Sequence, residues 1–297
     1  MRIATFNVQN LRLREGPEGG HLDGARDEVV ALNKLSEADK ALDARDRALT
    51  ARLIAEADAD VLALQEVFDQ RSLDHLHDAL LSPLGARYPH RICVPGNDGR
   101  RHLAWMSRTP LENVRSHATL TYDDVGLTPP DGKPGGARVF RRDCVAAMAD
   151  GLLLLNVHFK APADSASLAV TRGEVLATRT IIERTKEDRW VIAGDLNVGD
   201  AASGDILWPV TREFGVDLGA AHAPQERWTY FNATYASYAR PDRIVVSPAL
   251  AAQRPVLSTF RQGMSRAARL HTGDRFDDVG EVRPRASDHA LLAVDTG

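Results

Sequence analysis

Short apolar runs recur along this chain, and six of them meet a polar residue of catalytic type at one end. Ile3-Ala4-Thr5-Phe6 ends in Asn7, and Val61-Leu62-Ala63-Leu64-Gln65 ends in Glu66. Leu152 to Leu155 lead through Asn156-Val157 to His158, and Trp190-Val191-Ile192-Ala193-Gly194 ends in Asp195, with Asn197 two residues on. Later the order reverses: Asp242 precedes Ile244-Val245-Val246, and Asp288-His289 precede Leu291 to Val294. A buried strand gains nothing from a carboxylate or imidazole at its tip unless something there binds it. Six such tips predict one shared site.

The direction of the tips predicts the fold. If they converge, four strands run towards the site and two run away from it, so the sheets contain antiparallel pairs. That excludes an all-parallel doubly wound sheet. Helical spacing appears at Leu49, Leu53, Ile54 and Ala57, at Leu73, Leu76 and Leu80, and at Leu168, Val175, Leu176 and Ile182, with Asp164 or Ser165 as cap of the last. Residues 103–106, 139–140 and 145–148 read as further strands. Helices interspersed with mixed strands predict a four-layered α/β sandwich, with two mixed, mostly antiparallel sheets face to face and helices outside. Residues 14–26, 122–138 and 263–287 are rich in Gly, Pro and charge and read as surface loops. No repeat or linker divides the sequence, so one domain over residues 1–297 is expected.

Composition narrows the function classes. Apolar residues make up 43% and charged residues 26% of 297, as in a soluble globular protein with a large core. A formal net charge of -4 excludes a global polycation that holds nucleic acid non-specifically, but not a local basic groove. Cys93 and Cys144 are expected as reduced, mostly buried thiols. Without a signal-peptide or membrane-spanning run the expectation is a cytosolic protein, in which the sequon Asn232-Ala233-Thr234 carries no meaning.

The tips hold Asn, Asp, Glu and His, with no Cys ligand and no HExxH, which argues against structural zinc. Carboxylate and amide oxygens suit a hard cation such as Mg²⁺ or Mn²⁺, which keeps waters and takes phosphate ligands. That favours phosphoryl chemistry. The sequence has neither a GxxxxGK[ST] loop nor a GxSxG elbow.

Thr5-Phe6-Asn7-Val8, Leu64-Gln65-Glu66-Val67, Asn156-Val157-His158, Gly194-Asp195-Leu196-Asn197, Asp242-Arg243-Ile244 and Ser287-Asp288-His289 together resemble the endonuclease/exonuclease/phosphatase superfamily. The motifs stand in that family's order and span nearly the whole chain. The resemblance implies a divalent-metal-dependent phosphoric ester hydrolase. It implies Glu66 as principal ligand of Mg²⁺ or Mn²⁺, with Asn7 and Asp288 near the ion or its waters. It implies His289 as general base with Asp242 fixing its tautomer, Asp195 and Asn197 orienting water and a phosphate oxygen, and His158, if protonated, donating to a non-bridging oxygen. Whether His289 or Asp195 takes the water's proton stays open. Phe140-Arg141-Arg142-Asp143 resembles the deoxyribonuclease-like Phe-x-Arg segment, which implies Arg142 as a phosphate contact, although Cys144 stands where many relatives carry Pro.

The substrate is less legible. Trp228, Tyr230, Phe231, Tyr235 and Tyr238, flanked by Arg227 and Arg240, read as a stacking platform for bases or as core packing. Residues 263–287 carry Arg266, Arg269, Arg275, Arg283 and Arg285 but also Asp274, Asp277, Asp278 and Glu281, so they form no clean phosphate-tracking strip. Only half of the inositol-phosphatase Pro-x-Trp-Cys-Asp-Arg pattern survives at Asp242-Arg243, and the membrane hairpin of sphingomyelinases is not evident. A nuclease or nucleotide phosphodiesterase therefore leads, with nucleic acid as the expected partner. The alternative is a phosphomonoesterase or small-molecule phosphodiesterase acting on inositol- or lipid-headgroup-like esters. A non-catalytic binding module on the same fold ranks last, because it would be expected to have lost Glu66, Asp195 or His289.

Overall fold

A computed structural model describes residues 1–16, 19–27, 31–130, 132–200 and 206–297. In chain order the strands are β1 (Arg2–Leu11), β2 (Leu13–Gly16), β3 (Gly19–Leu22), β4 (Val61–Val67), β5 (His90–Val94), β6 (His102–Ser107), β7 (Glu112–Ser116) and β8 (Cys144–Ala149). They continue as β9 (Leu152–His158), β10 (Trp190–Asp195), β11 (Val216–Asp217), β12 (Tyr230–Asn232), β13 (Ser237–Ala239), β14 (Asp242–Val246), β15 (Leu257–Phe260) and β16 (Leu291–Asp295). The helices that cover them include α1 (Glu37–Ala57), α2 (Gln70–His75), α3 (Tyr122–Val125) and α4 (Ser165–Thr185).

Two six-stranded sheets result, in the orders β15-β16-β1-β4-β6-β5 and β11-β14-β10-β9-β8-β7. Each has one parallel pair at its centre, β1 with β4 and β10 with β9. The neighbours outward from these pairs are antiparallel. The four inward-running and two outward-running strands expected from the tips are all present, so the mixed sandwich stands.

Period-two alternation builds the layers. Ile3, Val61, Ala63, Leu154, Val191, Ala193, Ile244 and Val294 lie in the apolar cluster between the sheets. Ala4, Phe6, Leu62 and Leu64 face the other way and pack with Leu49, Leu53 and Ile54 of α1 and Leu73 of α2. On the second sheet Leu153, Leu155, Val157 and Ile192 pack with Val175 and Ile182 of α4. Helix, sheet, sheet and helix thus form four layers. At one end the inter-sheet face turns polar: Ile3 gives way to Thr5 and Asn7, Leu154 to Asn156 and His158, and Ala193 to Asp195. Gln65 donates to Asn156 Oδ1 across the gap at 2.8 Å, and Asn156 donates to the Leu64 and Ala104 carbonyls, so this polar seam is satisfied internally.

Local chemistry sets the helix boundaries. Ser36 and Asp39 form a capping box at the start of α1, and Asp164 with Ser167 forms another at α4. The apolar spacing at Leu49 marks only the second half of α1. Its first half is polar and buries Asp43, Asp46 and Arg47. Three expectations are corrected. Residues 14–26 are not a plain loop, because Leu13–Gly16 pairs antiparallel with Gly19–Leu22, while residues 17–18 lie outside the described residues. Residues 139–140 are buried but belong to no strand. Within 122–138, Tyr122–Val125 is a short helix capped by Thr121, and residue 131 lies outside the described residues. Cys93 and Cys144 are free and buried, as expected. No helix among the described residues is long and apolar enough to cross a membrane.

Gly194 is demanded by this packing. A Cβ there would lie 2.0 Å from the Val157 carbonyl oxygen of the adjacent strand, at a φ of +157°. Gly194→Ala should therefore destabilise the protein by about 3 kcal/mol in urea unfolding, through forced separation of β9 and β10. A change within experimental error would show that the strands yield freely there.

Candidate active site

The polar ends of both sheets open into one cleft of about 340 Å³. Asn7, Glu66, Arg142, His158, Asp195, Asn197, Asp288 and His289 all line it. Of the residues expected at the site, only Asp242 is absent from the lining, because it lies directly behind His289.

Strand ends aim most of these side chains by simple alternation, but Glu66 arrives differently. Val61, Ala63 and Gln65 face the second sheet, so an unbroken strand would turn Glu66 towards the helices. Glu66 instead has a φ of +65°, and the pairing of β4 with β6 shifts between Gln65 and Val67. This bulge swings Glu66 into the cleft and returns Val67 to the helix side. A matching irregularity in β1 places Gln9 and Asn10 at φ 49° and 56°. The Asn10 backbone N–H then donates to Glu66 Oε2 at 3.1 Å. Buried Arg47 of α1 holds the β1 irregularity by donating to the carbonyls of Val8, Gln9, Asn10, Asp23 and Gly24.

His289 and Asp242 form the tightest catalytic-type pair. His289 Nδ1 donates to Asp242 Oδ2 at 2.8 Å, and the Thr229 hydroxyl donates to the same oxygen at 2.7 Å. His289 Nε2 lies 3.8 Å from Asp288 Oδ1. Burial alone would push the His289 pKa down, but Asp242, Asp288 and Asp195 override it and hold the imidazole well above its ordinary value. Tyr230 packs tilted against the ring, with centroids 4.8 Å apart and planes 49° from parallel.

Asp195 is held from three sides. Asn7 Nδ2 donates to its Oδ2 at 3.0 Å, His158 Nε2 lies 3.4 Å from that oxygen, and the Asn197 N–H donates to Oδ1 at 2.9 Å. Asn197 Nδ2 donates to the Phe159 carbonyl, which fixes the left-handed turn after β10. Burial, reinforced by Asp242, pushes Asp195 up to about 6, and burial does the same to Asp288. Burial, with Arg142, His289 and Arg101 nearby, pushes His158 well below its ordinary value. This disfavours the protonated form on which its donor role was conditional and leaves a neutral N–H as the donor near neutral pH. Arg142 donates to the Phe159 carbonyl at 2.8 Å and pairs with Asp98 at 3.3 Å, with its side chain facing the cleft.

The donor set suits a hard divalent cation. The carboxylates of Glu66, Asp195 and Asp288 line the cleft, Asp242 Oδ1 is buried without a hydrogen-bond partner, and Asp195 and Asp288 are burdened by losing water. Asp195, Asp242 and His289 bring ligand atoms within 4.8 Å of one another. Glu66, Asn7 and Asp288, the ligands expected from sequence, line the same cleft. A second group among the described residues, His21, Asp23 and Asp43, is of similar compactness, but Arg14, Arg26 and Arg283 already pair with its carboxylates.

Gln9, Asp27 and Arg101 also line the cleft and were not singled out by sequence. Gln9 Nε2 donates to Asp288 Oδ2 at 3.0 Å and to Asp27 Oδ1 at 3.2 Å, while Arg101 Nε lies 3.6 Å from Glu66 Oε2. Gln9 follows Asn7 by two residues, a weak signal; nothing marks Arg101. The expected aromatic platform largely dissolves. Trp228 and Phe231 pack with Met264, Ala268 and Ala290, Tyr238 packs on both, and only Tyr230 of the five reaches the cleft. Arg240 is buried against Asp217 and Asp200, as is Arg243.

A family model described as the Endonuclease/Exonuclease/phosphatase family matches residues 4–289. The chain belongs to that family. Solved structures share its fold. A 3'-5' exonuclease from Neisseria meningitidis aligns with a TM-score of 0.59 at 18% identity, covering 99% of each chain. An AP endonuclease from Archaeoglobus fulgidus aligns at 0.59 with 17% identity, over 99% of this chain and 98% of that one. TDP2 from D. rerio, complexed with single strand DNA product, aligns at 0.57 with 16% identity over 99% and 97%. No curated protein matches the sequence.

The His289–Asp242 pair gives a direct check on the electrostatics. In metal-free protein, Asp242→Asn removes the main charge that raises His289, so its ring should deprotonate at a lower pH. Titration of the imidazole by NMR reads this directly; an unmoved midpoint would show that Asp242 does not set the proton affinity of His289.

Proposed function

We propose that this protein is a divalent-metal-dependent phosphodiesterase that cleaves nucleic acid or nucleotide phosphodiesters by attack of water. The observation that carries the reading is the meeting in one cleft of the His289–Asp242 pair with Asp195, Glu66, Asp288 and Arg142. The structural neighbours, an exonuclease, an AP endonuclease and a TDP2 complexed with single strand DNA product, support nucleic acid as the substrate class.

Glu66, Asn7 and Asp288 are the proposed holders of Mg²⁺ or Mn²⁺, which when bound would supply charge neutralisation at the phosphate. Arg142 faces the same space and offers donors to a non-bridging oxygen. The raised proton affinity of His289 would fall beside a cation held by Asp288, and its Nε2, with Asp242 fixing the tautomer, would then be free to take the proton of the attacking water. Asp195, gripped by Asn7 and the Asn197 N–H, orients that water. His158 stabilises the same carboxylate and the charge that develops beside it.

Bis-p-nitrophenyl phosphate should be hydrolysed with Mg²⁺ or Mn²⁺, and EDTA should abolish turnover. Folded protein inert with every divalent ion would favour a binding module, and a preference for the monoester would favour a phosphomonoesterase. His289→Ala should lower kcat by at least about 10²-fold with the fold intact. An unchanged kcat would remove His289 from the mechanism. Glu66→Gln should chiefly raise the metal concentration needed for half-maximal rate. The same metal requirement would mean that Glu66 is not a ligand.

A further inference from the structure

Beside the cleft lies a larger cavity of about 560 Å³ that the reading above leaves unused. Lys133, Arg138, Arg141 and Lys160 line it, and Asp164 is the one carboxylate among its described lining residues. The Asp164 carboxylate is engaged by the start of α4, where it accepts from the Ser167 N–H and hydroxyl. Among the described residues, Lys133, Arg141 and Lys160 have no acidic partner within ion-pair distance. Like charges gathered around a concave space repel one another unless an anion occupies it.

The cavity is also tied to the cleft. Glu174 of α4 is fully buried, and one of its oxygens accepts the Arg141 N–H while the other accepts the Lys160 N–H, each at 2.7 Å. One carboxylate therefore clamps the two backbone segments that carry these cations. The same segments deliver Arg142, His158 and Ala161 to the cleft. Arg141 is followed by Arg142 and Lys160 by Ala161, so consecutive residues, about 3.8 Å apart at Cα, line the cavity and the cleft in turn.

We propose that this cavity is a second phosphate subsite, which takes a neighbouring phosphodiester of the nucleic-acid strand whose reacting phosphate sits in the cleft. The assignment rests on the phosphodiesterase reading for the cleft. Guanidinium and ammonium donors held by backbone clamps fit a phosphate oxyanion, and the open form of the cavity suits a continuing strand. Arg141 is exposed, Lys160 is half-buried, and Glu174 grips only their backbones, so truncating these side chains leaves the clamp in place.

The test compares wild type with the Arg141→Ala/Lys160→Ala double variant on two substrates, a ten-nucleotide DNA single strand and bis-p-nitrophenyl phosphate, whose single phosphate cannot fill both sites. The ratio of kcat/KM for the strand to that for the small diester should fall by about tenfold, and the salt dependence of strand binding should weaken. The Arg141→Lys/Lys160→Arg protein should keep the wild-type ratio. An unchanged ratio in the alanine variant overturns the subsite while leaving the phosphodiesterase reading intact. If wild type turns over neither substrate, the phosphodiesterase reading fails. Fluorescence anisotropy with the same labelled strand then decides separately, since equal dissociation constants for wild type and the alanine variant would overturn the subsite.

Discussion

Four carboxylates, Glu66, Asp195, Asp242 and Asp288, are buried around one cleft, and the surrounding structure is shaped by the cost of keeping them there. Each loses hydration and each repels the others. Every one is met by donor groups: Asn10 and Arg101 at Glu66, Asn7, Asn197 and His158 at Asp195, Thr229 and His289 at Asp242, and Gln9 at Asp288. These donors come from both sheets, so the sandwich cannot slide without undoing them. What remains unbalanced, seen in the raised Asp195 and Asp288, favours a cation.

The donors themselves need support further out. Arg47 ties five carbonyls around the β1 irregularity, and that irregularity presents Gln9 and the Asn10 N–H. Asp43 and Asp46, on the polar half of α1, pair with Arg283, and Asp46 accepts the Arg285 N–H, which anchors the segment leading to Asp288 and His289. The arginines of residues 263–287 mostly serve this internal bracing. Arg266 donates to the Val279 carbonyl, Arg275 to that of Ala268, and Arg269 pairs with Glu281.

Much of this was legible in the sequence because strands alternate. A run such as Leu152 to His158 shows its apolar face and its polar end in the same letters, and the order of the tips gives strand direction. Three things were hidden. Glu66 lies on the wrong parity for the cleft and arrives through a bulge, which residue types do not announce. The first half of α1 has no apolar stripe, because what it buries is an ionic network. The aromatic segment before Asp242 has one composition for a stacking platform and for a small core; the packing of Trp228 and Phe231 with Met264 selects the core. The cationic cavity was also invisible, since its residues come from separate segments that meet only in the fold, two of them clamped by Glu174.

Anomalous diffraction from crystals grown with Mn²⁺ tests the central claim most directly. The account predicts a peak in the cleft with a Glu66 oxygen among its ligands. A cleft without a peak, or a peak only at His21, Asp23 and Asp43, would contradict it.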